Sequence, residues 1–114
     1  MRLVDLDHRI TIDELRQLAA ERYGDLTKAV VDVARGVMFV GCDMHVDGEA
    51  MFLEQGSKQS DLWGINIKPD FPHEEQIEFD SMINLRPWQE NRSRGVEDPA
   101  IRAQILTIVR ALIV

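Results

Sequence analysis

Apolar residues recur at helical spacing near both ends of the chain. Ile12, Leu15, Leu18, Ala19 and Tyr23 form one stripe, and Ile101, Ile105, Ile108, Val109 and Leu112 form another; each is the pattern of a helix that buries one face. The first helix has a clear start at Thr11-Ile12-Asp13-Glu14, a capping box in which the Thr11 hydroxyl accepts from the Glu14 amide and the Glu14 carboxylate accepts from the Thr11 amide. Ile10 and Leu15 stand at hydrophobic-staple positions, and Gly24 can supply a left-handed C-terminal cap. The last helix opens on Asp98 as N-cap with Pro99 at its first position. Its apolar end, Leu112-Ile113-Val114, is expected to dock on the core or on a partner chain.

Between the helices the pattern changes to short β-branched runs. Ala29 to Val33 and Val37 to Gly41 flank Ala34-Arg35-Gly36 and predict a β-hairpin. Neither run alternates cleanly, so these strands are expected to be covered on both faces, one by the helices and the other by a second subunit, or to sit centrally in a sheet. Leu62 to Lys68 alternates, with Trp63, Ile65 and Ile67 inward and Asn66 and Lys68 outward. Ile77 to Arg86 alternates for longer and predicts the longest strand, with Glu78, Asp80, Met82, Asn84 and Arg86 on a polar outer face. Asp47 to Gly56 is ambiguous: Asp47 can cap a short helix, which is the preferred reading, whereas Asp47-Gly48 is also a hairpin-turn pair. The predicted fold is a single α+β domain over residues 1–114, a mainly antiparallel four-stranded sheet with two amphipathic helices on one face, in the order α-β-β-(α)-β-β-α.

Composition narrows the setting. A chain of 114 residues is long enough for one core and should bury about two-thirds of its unfolded surface. No apolar run approaches membrane-spanning length. The N-terminus has acids where a signal peptide needs an apolar stretch, so a cytoplasmic location is expected. Cys42 is the only cysteine, which excludes an internal disulfide and any multi-cysteine metal site, and its apolar neighbours make it a small core residue. A formal net charge of -7 repels polyanions, so nucleic-acid binding is disfavoured.

The charges are unevenly spread. Asp70 to Asp80 carries acids and no Lys or Arg, while Asn84 to Pro99 carries Arg86, Arg92 and Arg94. Guanidinium groups take carboxylate or phosphate through a planar fork, and Gly95 lies shortly before a helix N-terminus that favours anions. Arg86, Asn91, Arg92, Ser93 and Arg94 are therefore the candidate ligand-binding residues, with Asp80 on the adjoining strand face as a candidate acid or base. The competing reading is structural, with these arginines clamped to Asp70 to Asp80 or to Glu97 and Asp98. Trp88 is suited to stacking on a ligand or to a subunit contact. His45, Asp47 and Glu49 would point the same way on an extended chain as weak metal-ligand candidates, a row that a helix would break. Ser57 to Asp61 is a solvated loop without a nucleophile motif.

Two longer strings, GSKQSDLWGIN (Gly56 to Asn66) and INLRPWQENRSRGVEDP (Ile83 to Pro99), resemble the characteristic segments of a small prokaryotic family of single-domain proteins, classed as a domain of unknown function. The resemblance implies a bacterial or archaeal origin and carries no activity with it. The expected function is regulatory or otherwise non-enzymatic: a homodimer binding a small anionic ligand or a protein partner through the arginine loop. One alternative is a hydrolase or transferase acting on a phosphorylated or carboxylated small molecule; another is a divalent-metal-binding domain. No cofactor is implied.

Overall fold

The two amphipathic helices form where their local signals place them. In the computed structural model, which describes all 114 residues, α1 spans Ile12–Glu21, with Thr11 Oγ1 accepting from Glu14 N at 3.1 Å and Glu14 Oε1 accepting from Thr11 N at 3.1 Å. Gly24 takes φ +91° and donates to Ala19 O at 2.7 Å, ending the helix as expected. The last helix, α3, spans Pro99–Leu112, and the Asp98 carboxylate accepts from Ala100 N at 2.9 Å. The intervening helix α2 is real and spans His45–Glu54. Its start is Met44 rather than Asp47: Asp47 lies within the first turn and reaches back to accept from Met44 N at 3.0 Å.

Five antiparallel strands, β1 (Arg2–Val4), β2 (Thr27–Asp32), β3 (Val37–Cys42), β4 (Leu62–Ile67) and β5 (Ile77–Glu78), form one sheet in the order β1-β3-β2-β4-β5. The fold is α+β, with three helices and one more strand than the sequence pattern predicts. Strand β1 is too short for periodicity to reveal it; it pairs Leu3 with Phe39 on the edge of the hairpin. The C-terminus joins the segment between β1 and α1, where Ile10 N donates to Leu112 O at 3.0 Å and Val114 N to Ile10 O at 2.9 Å. The terminal segment thus docks on its own chain.

The two faces of the sheet are covered differently. Ala29, Val31, Met38, Val40, Trp63, Ile65 and Ile67 point toward α1 and α3, where they meet Leu15, Ile105, Val109 and Leu112 in a cluster of 15 buried residues. Val30, Phe39 and Leu62 point the other way, onto Phe52 of α2 and Cys42. The non-alternating hairpin is therefore buried on both faces, as expected, but the second cover is α2 of the same chain and not a second subunit. Close packing there depends on Gly48, where a Cβ would lie 2.8 Å from Val30 Cγ2. A register shift between Lys28 and Val30, with Gly41 at φ +70°, turns Cys42 onto the same face as Phe39.

The predicted long strand Ile77 to Arg86 does not form. Only Ile77 and Glu78 pair with β4. The chain then bends: Ser81 N donates to Arg94 O at 2.9 Å, Ser81 Oγ accepts from Ile83 N at 3.3 Å, and Met82–Asn84 forms a 3-10 turn. Its apolar residues divide between the faces, Phe79 toward the α1/α3 cluster and Ile83 toward the α2 cluster, so the alternation imitates a strand without being one.

What replaces the missing strand is a pair of side chains. From Leu62 to Ile65, the outer edge of β4 has no strand partner. Asn84 Oδ1 accepts from Gly64 N at 2.8 Å and Asn84 Nδ2 donates to Gly64 O at 3.0 Å, while Arg86 Nη1 donates to Leu62 O at 2.9 Å and Gln59 O at 2.7 Å. The segment can approach because residue 64 is glycine, where a Cβ would meet Ser81 Cβ and Oγ at 2.5 Å.

Candidate functional site

The arginine loop is built as a clamp. Arg86 is 1% exposed, its guanidinium lies 4.1 Å from the Trp63 ring centroid, and its surroundings push its pKa down, burial opposing the charge and Glu49 favouring it. Asn91, 3% exposed, donates to Asn84 O at 2.7 Å and Gly95 O at 2.8 Å and accepts from Glu97 N at 2.9 Å. Arg94 pairs with Asp80 at 2.7 Å, Ser93 Oγ accepts from Gly95 N at 3.2 Å, and Arg92 is exposed with no partner for its guanidinium. The three arginines therefore occupy three different settings and do not converge. Trp88, 74% exposed, touches none of them through a stacking contact.

The metal-ligand row is also dispersed. On α2, His45 and Glu49 share the buried face while Asp47 is exposed and caps the helix start. No three His, Cys, Asp or Glu side chains gather as a metal-binding group. Cys42 is buried, and that burial raises its thiol pKa to about 11, consistent with a core residue.

A cleft of about 360 Å³ lies elsewhere, between the start of α2, strands β2, β4 and β5, and the Asp80-Ser81 bend. Its floor follows directly from sheet register. Lys28 on β2 stands opposite Asn66 on β4, and Asn66 stands opposite Glu78 on β5; cross-strand neighbours share a face, so a cation, an amide and a carboxylate form one row. Asp80 and Arg94 continue the lining, and Met44, Val46 and Met82 form an exposed apolar rim.

His45 sits over this row because the corner before α2 is fixed from α1. The Tyr23 hydroxyl donates to Asp43 O, and Arg22 pairs with the Asp43 carboxylate. His45 Nε2 lies 2.8 Å from Ile65 O. A carbonyl only accepts, so Nε2 carries the hydrogen and Nδ1 is the lone-pair nitrogen of the neutral ring. Burial lowers the His45 pKa below the ordinary imidazole value; the Ile65 hydrogen bond, Asp80 and the Asn66 side chain oppose that shift, and Lys28 adds to it. Lys28, Asn66 and Asp80 line the same cleft as this imidazole.

The charges in the cleft are partly committed. Glu78 accepts from Asn66 Nδ2 at 2.8 Å and from Lys68 Nζ at 3.0 Å, and these two contacts hold its carboxyl below the usual range. Asp80 Oδ1 is taken by Arg94. Lys28 has no acid partner, and its ammonium lies 4.9 Å from the Tyr23 ring centroid. Asn66 is 6% exposed, yet its Oδ1 accepts nothing. Buried acceptors without partners are rare in folded proteins and cost roughly 1–3 kcal/mol each.

Comparison with known families decides what kind of chain this is. A family model described as a protein of unknown function, DUF5674, matches residues 4–112. The chain belongs to that family. No curated protein and no solved structure gives a match. For this DUF5674 domain the family strings now have a physical meaning: Leu62-Trp63-Gly64 is the strand edge, Asn84 and Arg86 are the side chains that seal it, and Asn91 braces the loop that carries them. Of the candidate site residues, Asp80, Arg94 and His45 line the cleft, together with Asn66 from the polar strand face. Sequence reasoning passed over Lys28 and set His45 in a metal row. The available signal was a polar residue, Asn66, within a strand whose other residues are apolar or glycine. No helix of the domain is long and apolar enough to cross a membrane.

Proposed function

We propose that this DUF5674 domain binds a small amphipathic ligand in the cleft under His45, with the ligand's acidic group on Lys28 and a hydrogen-bond donor on Asn66 Oδ1. The observation that carries the reading is the unpartnered Asn66 Oδ1, buried in a lined cleft beside a neutral histidine. A polar floor with an apolar rim is the usual construction of a small-molecule site, and about 360 Å³ falls within the usual size range. The anionic-ligand expectation is kept but moves from the loop to the cleft, with Arg94 the one arginine shared. Amide chemical-shift mapping with a library of small carboxylates, phosphates and amines tests it: resonances of Lys28, His45 and Asn66 should move together. Shifts confined to the Arg92 loop, or none at all, would sink the proposal.

A second reading, hydrolysis or group transfer, is favoured by the His45 tautomer, which leaves Nδ1 available as a base. His45 then takes the role first considered for Asp80, whose carboxylate is engaged by Arg94. Turnover of activated esters or phosphate esters that disappears in His45→Gln supports it; rates equal to buffer in both proteins exclude it for those substrates.

A further inference from the structure

The proposed ligand can be narrowed by matching the free hydrogen-bonding groups of the cleft one by one. Acceptors without a partner outnumber free cations. Asn66 Oδ1 is buried and unpartnered, Nδ1 is the acceptor nitrogen of the neutral His45 ring, and Asp80 uses Oδ1 on Arg94 while Oδ2 makes no hydrogen bond. Three acceptors around one cavity suit a primary ammonium, which has three N–H donors and no acceptor. Lys28 stands across the register from Asn66 as the one cation in the cleft with no acid partner.

Formal charge points the same way. Lys28 and Arg94 balance Glu78 and Asp80 in the lining, so the cleft favours neither a net anion nor a net cation as strongly as a molecule carrying one charge of each sign. The apolar rim of Met44, Val46 and Met82 is 59%, 47% and 61% exposed. Two of these residues are methionines, which adapt to the shape of an apolar group.

We infer that the cleft takes a zwitterionic amino acid with an apolar side chain, its ammonium on Asn66 Oδ1, His45 Nδ1 and Asp80 Oδ2, its carboxylate on Lys28, and its side chain on the methionine rim. This assignment rests on the ligand-binding reading above and adds the chemical class.

A thermal-shift and calorimetric series separates the two claims. The probes are leucine, methionine, phenylalanine and valine, the deaminated analogue 4-methylpentanoate, the decarboxylated analogue 3-methylbutylamine, and glutamate. Leucine or methionine at saturation should raise the Tm by about 5 °C, while the two truncated analogues and glutamate bind at least tenfold more weakly. Lys28→Gln should weaken the amino acid at least tenfold and leave the amine unchanged. Asp80→Asn should weaken the amino acid and the amine and spare the carboxylate. If 4-methylpentanoate binds as tightly as leucine, the ammonium assignment is overturned while the binding site stands. Binding of leucine that neither substitution alters places the ligand outside the cleft and overturns both claims, as does the absence of binding by every probe.

Discussion

The two faces of the sheet are built on different rules. Toward α1 and α3, 15 buried residues, all apolar, fill the space between the strands and two capped helices. Toward α2, the buried apolar cluster has only five members, and much of the remaining cover is polar: His45, Glu49, Asn66, Ser81 and Asn84. Apolar contacts tolerate inexact geometry, whereas each buried polar group must find a partner or cost stability. A face with this many polar groups is specified more tightly, and where a group is left without a partner, as Asn66 Oδ1 and Glu49 Oε2 are, something outside the chain can supply it.

The strongest test of that contrast is Asn84→Ala, which strands the amide and the carbonyl of Gly64 on the outer edge of β4. At roughly 1–3 kcal/mol for each buried group left unpaired, the variant should unfold at markedly lower urea. A loss below about 0.5 kcal/mol, the scale of an ordinary surface change, would mean that the edge is not closed by this side chain. Ile105→Ala probes the opposite face, where a fully buried side chain is removed. Its expected loss is about 2–5 kcal/mol, with no effect on ligand binding in the cleft. A parallel loss of binding would show that the faces are coupled.

His45 gives the contrast a pH signature. Its folded-state pKa lies below the ordinary value of 6.5, chiefly through burial, so the unfolded chain takes up the proton more readily. Stability from this group is therefore complete above the unfolded pKa and is lost as pH falls through and below it. Chemical denaturation between pH 7.5 and 5.5 should show wild type losing more stability than His45→Gln; equal slopes would disprove a strained neutral imidazole. The smallest expected effect is that of Lys28→Gln on stability, within about 0.5 kcal/mol, because Lys28 makes no ion pair. A large loss there would turn the proposed ligand contact into a structural one.

Much of the α1/α3 face can be read from the chain because its signals are local. Thr11 to Glu14 caps one helix, Asp98-Pro99 starts the other, and Trp63, Ile65 and Ile67 alternate on one strand. The α2 face is hidden because its logic is not local. Asn84 acts on Gly64, Arg86 acts on Leu62, and Ser81 fits only above a residue without a side chain; none of these pairs shares a periodicity. Ile77 to Arg86 has the alternation of a strand, yet polar side chains end the pairing after two residues. The candidate site was half visible for the same reason. Asn66 and Asp80 were placed on one polar face, but Lys28 joins them only through the pairing of β2 with β4, and His45 only through the corner that Arg22 and Tyr23 hold.

Beneath α2, the chain's single thiol has a consequence for measurement. Cys42 Sγ would lie 3.0 Å from a Cβ placed on Gly48, and its raised pKa keeps it protonated at neutral pH. A thiol-labelling reagent therefore reacts only in moments when the helix lifts from the sheet. When reclosing is faster than reaction, the labelling rate reports the opening equilibrium of that helix alone, separately from global unfolding. Because His45 is the first residue of the same helix, a molecule seated in the cleft should slow the labelling of a sulfur it never touches.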